Sequence, residues 1–282
     1  VGPGADHPVT QLGRAREDTR AIEAPPMDAP RPFAPDACWQ QQLPVRVATL
    51  WWVKMGSNTV GMAAFFAAYF WLLHNPQDPV TVMPLTWVDR WVTFEPAAMP
   101  LYLSLWVYVS LPLALLKDRR ELASYGVATM ALSLTGLGIF LAYPSAVPRF
   151  AIDWSRYPWV AFLKAVDVGG NACPSLHVAF AVFSAVWLER LLREMNVGVP
   201  VRVLNVAWCV GIVYSTLATR QHVALDALAG AALGLLVAAL HLRALREPQR
   251  DPQHDPPRAR RPEVSGVAAV TAVTDADPLP TP

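Results

Sequence analysis

Six long apolar runs dominate this sequence and leave few folds open to it. They cover roughly residues 50–73, 97–116, 122–143, 175–192, 201–219 and 222–242. A bilayer's hydrocarbon core is about 30 Å thick and takes about 20 apolar helical residues to cross. Strands of that length would leave unpaired backbone edges in lipid, so the runs are expected to be helices. Composition agrees, because only 16% of the chain is charged, against roughly a quarter in ordinary soluble proteins. The expected fold is all-α, a polytopic bundle of six transmembrane helices.

The two ends have a different character. Residues 1–45 and 247–282 hold 16 of the 27 prolines and 20 of the 45 charged side chains. Such segments bury too little apolar surface to offset ordering entropy, so both are expected to be disordered tails around a domain at 46–246. No stretch in the first 45 residues has the apolar centre of a signal peptide. A net charge of +1 excludes a strongly basic nucleic-acid binder. The three cysteines, Cys38, Cys173 and Cys209, suggest neither a disulfide framework nor a metal cluster. No metal and no cofactor is expected.

Charge sets the expected orientation. Ten of the domain's Lys and Arg residues fall on one side of the spans: Arg46, Lys54, Lys117, Arg119, Arg120, Arg190, Arg193, Arg202, Arg243 and Arg246. The other side has five: Arg90, Arg149, Arg156, Lys164 and Arg220. By the positive-inside rule both termini are cytoplasmic in an inner, or plasma, membrane. The 74–96, 144–174 and 219–222 connections then face the exterior. Lys54, one turn into the first span, is expected to snorkel to the inner surface. The segment 86–96, rich in Trp and charge, is expected to lie along the outer interface.

That orientation gathers the unusual polar residues at the exterior ends of three spans. His222 and Asp226 are four apart, hence on one face of a helix. The carboxylate can hold the proton of one imidazole nitrogen and leave the other as a nucleophile. Pro174-Ser175 opens the fourth span, where free N–H groups and the helix dipole favour an anion. His177 is placed to give a proton to a leaving oxygen. Arg149 and Arg220 offer planar forks suited to phosphate. Small residues continue the stripes, as His222, Asp226, Gly230, Gly234 and as His177, Ala181, Ala185, so the fourth and sixth helices are expected to pack closely.

Pro148-Arg149, Pro174-Ser175-Leu176-His177 and Ser215…His222…Asp226 resemble the three motifs of the type-2 phosphatidic acid phosphatase superfamily. Those motifs are usually K-x6-R-P, P-S-G-H and S-R-x5-H-x3-D. Leu176 inside the second motif, and Thr219-Arg220-Gln221-His222 in the third, are more similar to the branch of inositol phosphorylceramide synthases and related bacterial membrane proteins. The resemblance covers roughly residues 50–242. It implies a metal-independent hydrolase or phosphotransferase acting on a phospholipid or other lipid phosphate. Carried over by position, His222 is the nucleophile, Asp226 orients it and His177 is the acid. Arg149 and Ser175 then hold phosphate oxygens. Ala142 stands where the first motif has lysine, Phe150 where it has proline, and Thr216 where the third has arginine, a loss for which nearby Arg220 can substitute.

Two other classes use the same residues. A membrane b-type cytochrome would take His177 and His222 as axial ligands. A lipid transporter or non-catalytic lipid-binding relative would use Asp226 as a coupling residue. The other histidines have plainer readings: His74 and His241 lie near span ends, at the interface. Asn171 is open between a helix cap and a phosphate contact.

Overall fold

The computed structural model describes residues 38–167 and 170–246, together with Gly2. Among these residues the chain forms α1 (Trp39–Ala48), α2 (Trp51–His74), β1 (Thr81–Val82), α3 (Trp87–Trp91), α4 (Met99–Leu103), α5 (Leu105–Leu115) and α6 (Arg119–Ala142). Then follow β2 (Ser145–Ala146), α7 (Pro158–Asp167), α8 (Leu176–Glu194), α9 (Val199–Ala218) and α10 (Ala224–Arg246). Contacts divide the chain into a unit Val1–His241 and a unit Leu242–Pro282. All packing described below lies in the first.

Among the described residues, four helical stretches are long and apolar enough to cross a membrane: Pro96–Leu115, Arg119–Ala142, Val199–Ala218 and Ala224–Leu245. The first combines a short 3-10 turn with α4 and α5. Two further expected spans exist as helices of 24 and 19 residues, α2 and α8, but do not meet that standard. The reasons are local. α2 opens with Lys54, Ser57, Asn58 and Thr59, and the last turns of α8 carry Glu189, Arg190, Arg193 and Glu194.

α8 can tolerate polarity because its neighbours enclose it. α5, α6 and α9 pack against it, and Val178, Ala181, Phe183, Trp187 and Leu191 on its several faces have no exposure. A helix shielded in this way need not be lipid-compatible all round. Polar contacts fix its neighbours. The Tyr108 hydroxyl donates to Asn205 Oδ1 (2.6 Å), and Asn205 Nδ2 donates to the Ala185 carbonyl (3.1 Å), which ties α5, α9 and α8 together.

Two expectations at the other end of the bundle need correction. Lys54 does not snorkel. It is 2% exposed, and its ammonium donates to the carbonyls of Arg46 (2.7 Å), Ala114 (2.9 Å) and Leu116 (2.8 Å). Those carbonyls end α1 and α5 and lack partners within their helices, so one cation satisfies three orphan acceptors. The expected tail 1–45 also ends too late, because α1 starts at Trp39. Arg46 anchors that helix, donating to the Leu115 carbonyl (3.3 Å) and pairing with Glu194 (3.2 Å). Residues 1, 3–37 and 247–282 of the expected tails lie outside the described residues.

At the end that carries His222, the connections form a small platform. β1 and β2 pair in parallel, Thr81 with Ser145 and Val82 with Ala146. Ser145 accepts the Ala172 N–H on its carbonyl (3.1 Å) and the Cys173 N–H on its hydroxyl (2.8 Å). Met83, Val147, Ala172 and Val223 bury together beneath, with Phe150 and Cys173 packed on them. The loop that holds Arg149 and the turn that opens α8 are thus parts of one layer.

Candidate functional site

The turn between α9 and α10 delivers the first histidine. Beyond Ala218, the Thr216 carbonyl accepts the N–H groups of Gln221 (3.0 Å) and His222 (3.1 Å). Arg220 takes a left-handed backbone, φ 58°, as helix-ending turns often require. His222 then stands just before α10, with Asp226 in the first turn of that helix.

His222 Nδ1 and Asp226 Oδ2 are 2.9 Å apart. The other carboxylate oxygen accepts the Val223 N–H at 2.7 Å. Asp226 is wholly buried and His222 is 9% exposed. Both carboxylate oxygens therefore have a partner, as a buried polar group requires. The tautomer that donates Nδ1–H to Asp226 leaves a lone pair on Nε2.

The second motif is stitched to the same turn. Ser175 donates its N–H to the Asp226 carbonyl (2.9 Å). Its hydroxyl caps α8 by accepting the Val178 N–H (3.2 Å). Glycine makes this approach possible: a β-carbon on Gly230 would lie 2.2 Å from the Ser175 carbonyl oxygen, and one on Gly234 would lie 2.2 Å from that of Ala179. The small stripe expected on α10 is therefore in use. Its counterpart on α8 is Ser175–Ala179, not His177–Ala181–Ala185, which faces elsewhere because two residues turn a helix by more than half a circle.

His177 lies in the first turn of α8, within electrostatic reach of His222. Its ring lies flat on that of Tyr102 from α4, with centroids 4.0 Å apart and planes 16° from parallel. Its Nε2 is buried without a partner among the described residues. Two more buried nitrogens at this end share that condition, Arg220 Nε and Gln221 Nε2. Unsatisfied donors are costly in a folded chain.

The arginines divide. Arg149 is exposed and makes no hydrogen bond or ion pair among the described residues. Arg220 is engaged: Nη1 donates to the Asp89 carbonyl (2.9 Å), Nη2 to that of Val92 (2.7 Å), and the guanidinium lies 4.9 Å from the Phe150 ring centroid. Its Nε–H is buried without a partner among the described residues. Lys164 of α7 donates to the Arg220 carbonyl.

Sequence reasoning missed Asp89, Tyr102 and Gln221. Thr86-x-x-Asp89 is a capping-box spacing, and the signal was there to find. Asn171 donates its side-chain N–H to the Tyr69 carbonyl (3.1 Å). Burial, and after it the Asp226 charge, push the Cys173 thiol up, so it stays neutral beside the site.

No curated protein and no solved structure matches the chain. Residues 121–250 match the PAP2 superfamily, over a stretch that holds Arg149, Ser175, His177 and the His222–Asp226 pair.

Proposed function

We propose that this protein is a lipid phosphate phosphatase or lipid head-group phosphotransferase that works through a phosphohistidine. The observation that carries this reading is the His222–Asp226 pair at 2.9 Å, buried at the end of a bundle with membrane-crossing helices. The superfamily match supports phosphoryl chemistry in general and favours neither the cytochrome nor the transporter alternative.

In the proposed first step, His222 Nε2 attacks phosphorus. The bond from phosphorus to the alcohol oxygen breaks with its electron pair on oxygen, and protonated His177 supplies the proton. Asp226 keeps the Nδ1 proton in place and stabilises the ring as it becomes positive. In the second step water or an acceptor alcohol attacks the phosphohistidine, His177 takes its proton, and the bond from phosphorus to nitrogen breaks to restore His222. Arg149, the Arg220 Nε–H, Gln221 and the Ser175 turn supply charge and donors for the phosphate oxygens.

In this reading α2 and α8 complete six spans, and the charge bias of the connections assigns the site to the exterior leaflet. Leu176 in the second motif favours transfer and the branch of inositol phosphorylceramide synthases. The test is direct. Purified protein incubated with radiolabelled phosphatidate should retain acid-labile, base-stable label, and His222→Ala should retain none. Free phosphate released equally with and without an acceptor alcohol, and no phosphate monoester of that alcohol, would remove the transferase version. No label in the wild type, with no turnover, would remove the reading itself.

A further inference from the structure

The short helix α3 is amphipathic in a specific way. Val88 and Val92 pack on Val178 of α8, Leu217 of α9 and Ala227 of α10. Trp87 and Trp91, on the opposite side, are 67% and 79% exposed and meet edge to face with centroids 5.5 Å apart. Between the two faces sits Asp89, only 4% exposed. Its Oδ2 accepts the N–H (2.7 Å) and hydroxyl (2.8 Å) of Thr86, and its Oδ1 accepts the Ala224 N–H (2.8 Å). Ala224 is the first residue of α10, two after His222. The Asp89 carbonyl holds Arg220 Nη1 at 2.9 Å, two residues before His222. One acidic residue therefore grips the histidine turn on both sides.

We propose that Asp89 is a positioning residue for His222, and that it couples the histidine turn to a membrane anchor, the Trp87–Trp91 pair seated in the outer leaflet's headgroup layer. This rests on the phosphohistidine reading and deepens it, because it assigns the site a substrate presented from a lipid surface.

The occupant follows from place and chemistry. α3 ends five residues before Pro96, where a membrane-crossing stretch begins. Its exposed Trp pair is then held at the level where helices meet headgroups, and indole rings partition to that level. Lateral displacement of α3 would drag Asp89, and with it the amide that fixes the start of α10. Small misplacement of a nucleophile is expensive in rate.

The test uses the full chain in vesicles. Brominated phosphatidylcholine should quench wild-type tryptophan emission more than that of the Trp87→Phe/Trp91→Phe double variant. Trp87→Ser/Trp91→Ser should raise KM for vesicle-borne phosphatidate severalfold, while kcat and the kinetics on water-soluble p-nitrophenyl phosphate hold. Asp89→Ala should lower kcat on both substrates by about 10²-fold and speed deuterium exchange of the 222–226 amides. Asp89→Asn, which keeps an acceptor for the Ala224 N–H, should recover most of that rate. Equal quenching in the Phe variant, as when a protein partner covers the pair, would overturn the anchor. Unchanged exchange or unchanged kcat in Asp89→Ala would overturn the positioning role. Quenching and exchange need no turnover, so an inactive wild type would sink the phosphohistidine reading while these two measurements still decide the anchor and the positioning role.

Discussion

The Ser175 carbonyl oxygen rests so close to the Cα of Gly230 that a methyl group there would stand 2.2 Å from it. The contact is backbone against backbone, and neither side can swing away. Gly230→Ala should force α8 and α10 apart, at a cost of about 1–3 kcal/mol, and separate the Ser175 turn from Asp226. Thermal unfolding and turnover should fall together. Gly138→Ala, where nothing lies within 4 Å, is the control and should be neutral or stabilising by up to about 1 kcal/mol.

The orienting carboxylate can be tested apart from the nucleophile. Asp226→Asn preserves shape but offers an amide where His222 needs an acceptor. Turnover should drop by roughly 10²–10⁴ with KM little changed. A rate within threefold of wild type, by phosphate release, would contradict the assigned role.

Lys54 answers for three carbonyls far from the chemistry. Lys54→Met keeps the stem and removes the donor, leaving the ends of α1 and α5 unsatisfied. A loss of about 2–5 kcal/mol is expected, read as a lower unfolding midpoint in detergent. Activity per folded molecule should be unchanged.

The Tyr108–Asn205 contact gives a separable measure of interhelical polar bonding. Tyr108→Phe and Asn205→Leu should each destabilise, and the double variant should lose less than their sum. A coupling of about 0.6–2 kcal/mol is expected from a double-mutant cycle.

Much of the site was legible because it depends on short spacings. His222 and Asp226 are one helical turn apart, and any helix beginning near them brings ring and carboxylate together. The glycines of α10 were legible for the same reason. Their partner stripe on α8 was not, because which face of a helix meets its neighbour depends on the rotation set by every other contact. Lys54 was misjudged because its three acceptors come from segments 8 to 62 residues away in sequence. Asp89 was hidden by its setting among tryptophans, which invited an interfacial reading of the whole segment. Arg220 was read as a free fork, but carbonyls from α3 and the loop after it occupy its two terminal nitrogens. Apolarity alone predicts that α8 crosses the bilayer, whereas its charged last turns keep it outside the four stretches that meet the standard.

Asp226 gives its carboxylate to His222 and its main-chain oxygen to Ser175. The proposed attacking group and the proposed anion cradle are consequently riveted to a single residue. Any screw motion of α10 about its axis must carry both along by the same amount, so the distance between them is insulated from breathing of the surrounding bilayer.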